Sequence, residues 1–237
     1  LFIDEIHRLN RTVEEYLYPA MEDFRLDIML DSGPAARSVN LPLKHFTLVG
    51  ATTRSGQLTG PLRDRFGLQY RLELYNEKDI VKILMRSAGI LGVELSEDAA
   101  KLLGGRCRGT PRIANRVLRR CRDVAQVRGT GIIDVQAASK TLDMLGIDSE
   151  GLDPTDRRIL TTMIDMFDGG PVGIGTIGAA MGEEPNTIEE VYEPYLIQKG
   201  LLNRTPRGRV ATRNAYMMLH KTIPKNKEIE GDQLNLF

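Results

Sequence analysis

The stretch Leu1-Phe2-Ile3-Asp4-Glu5 limits what this chain can fold into more than any other. Three apolar side chains run straight into two adjacent carboxylates. An apolar run of that length reads as a short strand buried on both faces of a parallel sheet. Open α/β sheets hold their ligands at the carboxyl ends of the strands. Two acids there have a defined use: one carboxylate holds Mg²⁺ on a nucleotide, and the other polarises the attacking water. The competing reading is an acidic strand-to-loop boundary without chemistry.

Other segments supply groups that such a pair needs. Phe46-Thr47-Leu48-Val49-Gly50 is a second buried-strand run, and it ends in Ala51-Thr52-Thr53-Arg54. If the two strands are neighbours, the Thr53 hydroxyl meets the acids and orients water or reads the terminal phosphate. Further on, Arg63-Asp64-Arg65 precedes Phe66-Gly67. An arginine at a domain edge reaches the phosphates of a neighbouring subunit; the alternative is an internal Arg63–Asp64–Arg65 ion network. Between the strands, residues 7–23 carry Leu9, Val13, Leu17 and Met21 at helical spacing. His7 polarises a group near the phosphates, or is merely a solvated or capping residue. Glu22, Asp23 and Phe24 close the helix and face a nucleotide, a neighbouring subunit or solvent. Residues 25–43 alternate about an Asp31-Ser32-Gly33-Pro34 turn and read as a β-hairpin. Its apolar residues either pack on the parent domain or seek a partner.

From residue 76 the pattern becomes helical. Ser96 caps one helix, and Thr110-Pro111 opens another with a cap residue and proline at the first position. Ile113, Val117, Cys121 and Val124 form its apolar stripe. Arg112 sits in the first turn, where a cation opposes the helix dipole and needs an anion nearby. Asp134 starts the last helix of this part, which ends at Gly146. A short polar linker over 148–153 leads to a helix opened by Asp153-Pro154, a short second helix and a third from about Asn186. A hairpin follows with its turn at residues 205–208, so the whole is a winged helix-turn-helix pattern. Residues 183–193 hold five acids and no base, whereas residues 203–227 hold seven Lys or Arg and no acid. The wing, with Arg204, Arg207 and Arg209, is therefore the expected contact, and it meets phosphates independently of base sequence.

Composition sets outer limits. The 237 residues give room for two or three small domains, and formal charge is zero, so no global field attracts nucleic acid. Cys107 and Cys121 lack other metal ligands at zinc spacing, and the low cysteine count suits a reducing cytoplasm. No apolar run approaches the roughly 20 residues of a membrane span. The chain begins inside a strand rather than at Met, and no Gly-x-x-x-x-Gly-Lys-Ser/Thr loop occurs in it. The expectation is a fragment without its N-terminal portion, unable to hydrolyse ATP alone.

In this order, LFIDEIHRL (residues 1–9), LYPAMED (17–23), GPAARS (33–38), ATTR (51–54), PLRDRFG (61–67) and GTPR (109–112) resemble the AAA+ ATPases. Among these they resemble the bacterial motors that drive branch migration of four-way DNA junctions. The resemblance implies an α/β fold followed by an all-α part and a winged helix: the remnant of a P-loop ATPase core (1–75), a helical lid (76–147), a winged-helix domain (148–224) and a tail (225–237). It implies ATP and Mg²⁺ as cofactors, with Asp4 on the metal side, Glu5 as catalytic base, Thr53 as first sensor, Arg65 as the finger offered in trans and Arg112 as second sensor. Tyr75, Glu22, Asp23 and Phe24 would lie at the nucleotide, and Arg204 and Arg209, with Arg207, at DNA. Val39 and Leu41 would dock a RuvA-like junction-binding protein. A homo-hexamer on duplex arms, a RuvC-like resolvase and a bacterial cytoplasmic location follow from the same resemblance. The last five residues, Gln233 to Phe237, resemble a sliding-clamp-binding motif. Two other readings are a winged-helix DNA-binding regulator whose ATPase remnant only oligomerises, and a clamp-loader-like ATPase.

Overall fold

The computed structural model describes residues 1–29, 38–128 and 131–224. They form two compact units, Leu1–Leu72 and the chain from Glu73 onward. The expected turn at Asp31–Pro34, most of the GPAARS segment and the tail with its Gln233–Phe237 motif lie outside the described residues.

The first unit contains, in order, β1 (Phe2–Ile3), α1 (Arg11–Glu22), β2 (Arg25–Met29), β3 (Ser38–Pro42), β4 (Val49–Gly50) and α2 (Gly60–Asp64). Strands β1 and β4 are parallel neighbours, with Phe2 opposite Val49 and Ile3 opposite Gly50. The Ala51 N–H donates to the Ile3 carbonyl and the Ile6 N–H to the Ala51 carbonyl, both at 2.9 Å. The expectation of strands buried on both faces is not met: Phe2 is 63% and Val49 51% exposed. Burial of a parallel strand needs a layer on each face, and none covers these residues in the described part of the unit.

The expected helix over 7–23 is shorter. A 3₁₀ turn at Ile6–Arg8 ends at an extended Leu9, and Asn10 then caps α1 by accepting the Val13 N–H at 2.8 Å. The anticipated apolar stripe is met only in part: Leu9, Leu17 and Met21 are half-buried, but Val13 is exposed while Glu14 and Ala20 are buried. The Glu14 carboxylate accepts the Thr59 hydroxyl at 2.8 Å and the Tyr18 hydroxyl at 3.2 Å, the partners a buried acid requires. Thr59 also caps α2, so α1 and α2 are tied through one carboxylate. Strands β2 and β3 are the expected antiparallel hairpin, with Leu26 opposite Leu41 and Ile28 opposite Val39. Alternation places these four on one face, and Ile28, Val39 and Leu41 are exposed.

The second unit opens with α3 (Glu77–Ile90), β5 (Glu94–Leu95), α4 (Glu97–Gly104), α5 (Pro111–Arg128), β6 (Ile132–Ile133) and α6 (Val135–Leu145). Asn76, Ser96 and Asp134 cap α3, α4 and α6 through their side-chain oxygens. The buried face of α5 is Ala114, Val117, Leu118, Cys121 and Ala125, a stripe rotated from the expected one; Ile113 only flanks the core. Each large side chain fully buried there contributes about 1.5–3 kcal/mol. Burial pushes the Cys107 thiol up to about 12 and the Cys121 thiol to about 11, so both are inert packing groups.

The chain continues through α7 (Pro154–Phe167), α8 (Ile174–Met181), α9 (Pro185–Thr187), a π-turn at Ile188–Tyr192, α10 (Glu193–Gln198), the hairpin β7 (Leu202–Thr205) and β8 (Gly208–Ala211), and α11 (Arg213–Met218). The third helix is thus not one α-helix. Pro194 has no N–H to return to the turn before it and its ring crowds that turn, so a wider π-turn precedes α10. The antiparallel wing keeps its predicted turn, with Arg204 opposite Arg209. Ile159, Leu160, Met163, Ile177, Leu196 and Leu202 lead its core.

Candidate functional site

Pairing of β1 with β4 brings the acids and the threonine together. Glu5 adopts a left-handed backbone conformation (φ 49°, ψ 47°) immediately after the strand. That turn aims its carboxylate at the end of β4, where Oε2 accepts the Thr53 hydroxyl at 3.2 Å and lies 3.4 Å from the Thr53 amide. Left-handed geometry is costly for a residue with a Cβ and concentrates at functional sites. His7 is neither solvated nor a helix cap: its Nδ1 lies 2.8 Å from the Thr52 hydroxyl and 3.2 Å from Glu5 Oε2. Asp4 is exposed, and its Oδ1 accepts the Glu5 N–H at 3.1 Å. Its other oxygen meets no partner among the described residues, which fits a hard cation held by one carboxylate and otherwise by phosphate and water.

Arg65 at the end of α2 folds onto α1. Its Nη1 donates to the Pro61 carbonyl at 2.8 Å, and its guanidinium lies 4.4 Å from the centre of the Tyr18 ring. Nε is 2.8 Å from Glu22 Oε1, an ion pair without hydrogen-bond alignment. The anticipated Arg63–Asp64–Arg65 network does not form: Arg63 pairs loosely with Asp64 at 3.8 Å and Arg65 with Glu22. Asp23 pairs with Arg25 at 3.2 Å, and Phe24 packs its ring on His45 at 4.1 Å.

In the second unit the structure joins Tyr75 to the segment carrying Arg112. The Tyr75 N–H donates to the Gly109 carbonyl at 2.9 Å. Gly109 has φ 62°, and a Cβ there would stand 2.5 Å from the Tyr75 carbonyl oxygen, so only glycine fits. Arg112 is exposed in the first turn of α5, with no ion pair among the described residues.

Sequence reasoning passed over the residue that precedes this segment. The Arg108 guanidinium is nearly buried. Nε donates to the Gly151 carbonyl at 2.9 Å, Nη2 bonds Asp156 and lies 3.1 Å from Asp153, and the group stacks 4.8 Å from the Tyr195 ring centre. Burial pushes the Asp156 carboxyl up to about 6, against the pull of Arg108. Arg106 donates to the Asp148 carbonyl at 2.6 Å, and Arg157 bonds the Asp148 carboxylate at 3.1 Å. The expected polar linker is a bonded joint. Only the Asp153 cap was visible beforehand, because a helix cap is a local pattern; Asp156 completes it as a capping box.

The wing arginines are not free cations. Arg204 binds Glu193 through Nε at 3.0 Å and Nη2 at 3.0 Å, and Arg209 binds the same carboxylate at 3.1 and 3.0 Å. Glu189 Oε1 then takes Nη2 of both, at 2.9 and 3.3 Å. Burial raises the Glu193 pKa, but the hydrogen bonds from Arg204 and Arg209 outweigh it and hold the carboxyl below its usual range. Arg207, at the turn, is exposed with no ion pair among the described residues.

An acid pair and a threonine just beyond the ends of adjacent parallel strands, followed by a helical bundle and a winged helix, define the AAA+ class of fold. Residues 1–72 match the Holliday junction DNA helicase RuvB P-loop domain, 75–148 the RuvB AAA lid domain and 149–220 the RuvB C-terminal winged helix domain. A Myxococcus xanthus protein, Holliday junction branch migration complex subunit RuvB, is 61% identical over 224 residues, which are 94% of this chain and 65% of that relative. The Thermotoga maritima RuvB Holliday junction branch migration motor superposes with TM-score 0.82 at 48% identity, covering 94% of this chain and 70% of that one. A point mutant of Thermotoga maritima RuvB gives TM-score 0.84 at 48% identity, with the same two coverages. The chain belongs to the RuvB family. It spans about 65% of the length of the curated relative it matches.

Proposed function

We propose that these residues act in an ATP-driven motor that branch-migrates Holliday junctions, as a homo-hexamer on duplex arms. The observation that carries this is the Glu5 carboxylate receiving the Thr53 hydroxyl at 3.2 Å beside an exposed Asp4. Asp4 would hold Mg²⁺ on ATP, and the ion would supply charge neutralisation at the phosphates. Glu5 accepts the proton of the attacking water, and Thr53 holds its carboxylate in line. Arg65 leaves Glu22 to face the phosphates of the adjacent subunit, while Arg112, joined to Tyr75 through Gly109, meets the nucleotide from the lid. Glu22, Asp23 and Phe24 border the same site. The exposed face bearing Val39 and Leu41 suits a RuvA-like junction-binding protein. Arg207, with Arg204 and Arg209, meets DNA phosphates without reading bases. A RuvC-like resolvase, bacterial cytoplasmic location and clamp binding through Gln233–Phe237 complete the reading.

No Gly-x-x-x-x-Gly-Lys-Ser/Thr occurs among the 237 residues, so this chain alone is expected to turn over no ATP. Extended N-terminally by such a loop, it should hydrolyse ATP, and Glu5→Gln should lower turnover by about a hundredfold or more. Undiminished turnover by that variant would refute the assignment.

A further inference from the structure

We propose that Glu189 is a built-in brake on DNA binding, a positioning residue that keeps the wing arginines partly occupied. This rests on the reading that the wing meets phosphate. The cluster has two layers. Glu193 lies between two arginines, each clamped to it through Nε and Nη2 at 3.0–3.1 Å, and its side chain is 2% exposed. Those four hydrogen bonds fill its two oxygens and hold β7 and β8 against α10. Arg204, Arg209 and Glu193 together carry one net positive charge.

Glu189 removes that charge. Its Oε1 contacts Nη2 of both arginines, and its side chain is 34% exposed, so it covers the cluster from the solvent side. Arg204, 53% exposed, is the arginine an incoming phosphate reaches; Arg209 is 14% exposed. Before DNA phosphate takes Nη2 it must displace Glu189, whereas Glu193 stays in place behind. An anion that competes with phosphate lowers affinity and the number of counterions released on binding. Weak contact is what a protein needs when it must slip along an arm between power strokes. The π-turn at Ile188–Tyr192 contains Glu189 and ends directly before Glu193, so it sets the spacing of the two acids.

The test is duplex binding by this chain, measured by fluorescence anisotropy across a salt series. Glu189→Gln keeps the shape of the side chain but removes its charge, so its hold on both Nη2 groups weakens. It should tighten binding at least about threefold and steepen the slope of log K against log salt by about 0.9. Glu184→Gln changes net charge equally on an exposed side chain outside the cluster, and should alter the slope far less. Should Glu189→Gln misfold, Glu189→Thr reads the same release. Unchanged or weaker binding by both Glu189 variants overturns the proposal, as does equal tightening by Glu184→Gln. If Arg204→Ala and Arg207→Ala leave wild-type binding intact, the wing itself is not the contact, and that failure is separate from any result at Glu189.

Discussion

Arg108 closes on Asp156 across 48 residues of sequence, joining the segment that opens α5 to the first turn of α7. The carboxylate is fully buried and the guanidinium nearly so, so neither charge has water as a substitute partner. Arg108→Ala leaves an unpaired charge in that joint and should destabilise the unit from Glu73 onward by about 3–5 kcal/mol. Arg108→Lys should recover only part of this, because an ammonium lacks the planar fork that serves Asp156 and the Gly151 carbonyl together. Chemical unfolding measures both, and a loss under about 1 kcal/mol for Arg108→Ala contradicts the description of the joint.

Thr53 touches Glu5 at an exposed place, where a single hydrogen bond adds little to stability. Thr53→Val should change unfolding free energy by no more than about 0.5 kcal/mol. In the chain extended by a phosphate-binding loop, the same substitution should lower ATP turnover by about tenfold or more, because the base loses its alignment. A variant that loses stability and keeps turnover would show that the contact is structural.

Glu193 titrates below its usual range in the folded wing, so it stabilises the fold while ionised. That contribution is complete above the unfolded value near 4.5 and is lost as pH falls through the lower folded value. Unfolding free energy should therefore drop with acid below about pH 4.5 in the wild type, and the drop should be shallower in Glu193→Gln, which starts less stable at neutral pH. Parallel acid profiles for the two proteins would count against the two-arginine clamp.

The sequence foretold most clearly what is local. Ser96, Asp134 and Asp153 each cap a helix through a side chain two or three residues from its partner amide, so the pattern and the bond coincide. The β2–β3 and β7–β8 hairpins were readable from alternation and turn residues. The meeting of Glu5 and Thr53 followed once β1 and β4 were taken as neighbours. What escaped is tertiary. Nothing near Arg108 announces Asp156 or Gly151, and nothing in a basic hairpin tells that Glu189 and Glu193 from the preceding helical turn neutralise two of its arginines. The base-rich run was read as the DNA contact and the acid-rich run only as a contrast to it, yet they are partners. The bare faces of Phe2 and Val49 have the same origin, since burial of a strand depends on layers that the strand does not encode.

The central claim is that a nucleotide site is completed between two subunits, with Glu5 from one and Arg65 from the next. The most direct measurement is ATP turnover by equimolar mixtures of Glu5→Gln and Arg65→Ala subunits, each extended by a phosphate-binding loop and each inactive alone. Random assembly pairs an intact acid with an intact finger at about a quarter of interfaces, so the mixture should regain about a quarter of wild-type turnover. Turnover that stays at the level of the separate variants would contradict the account.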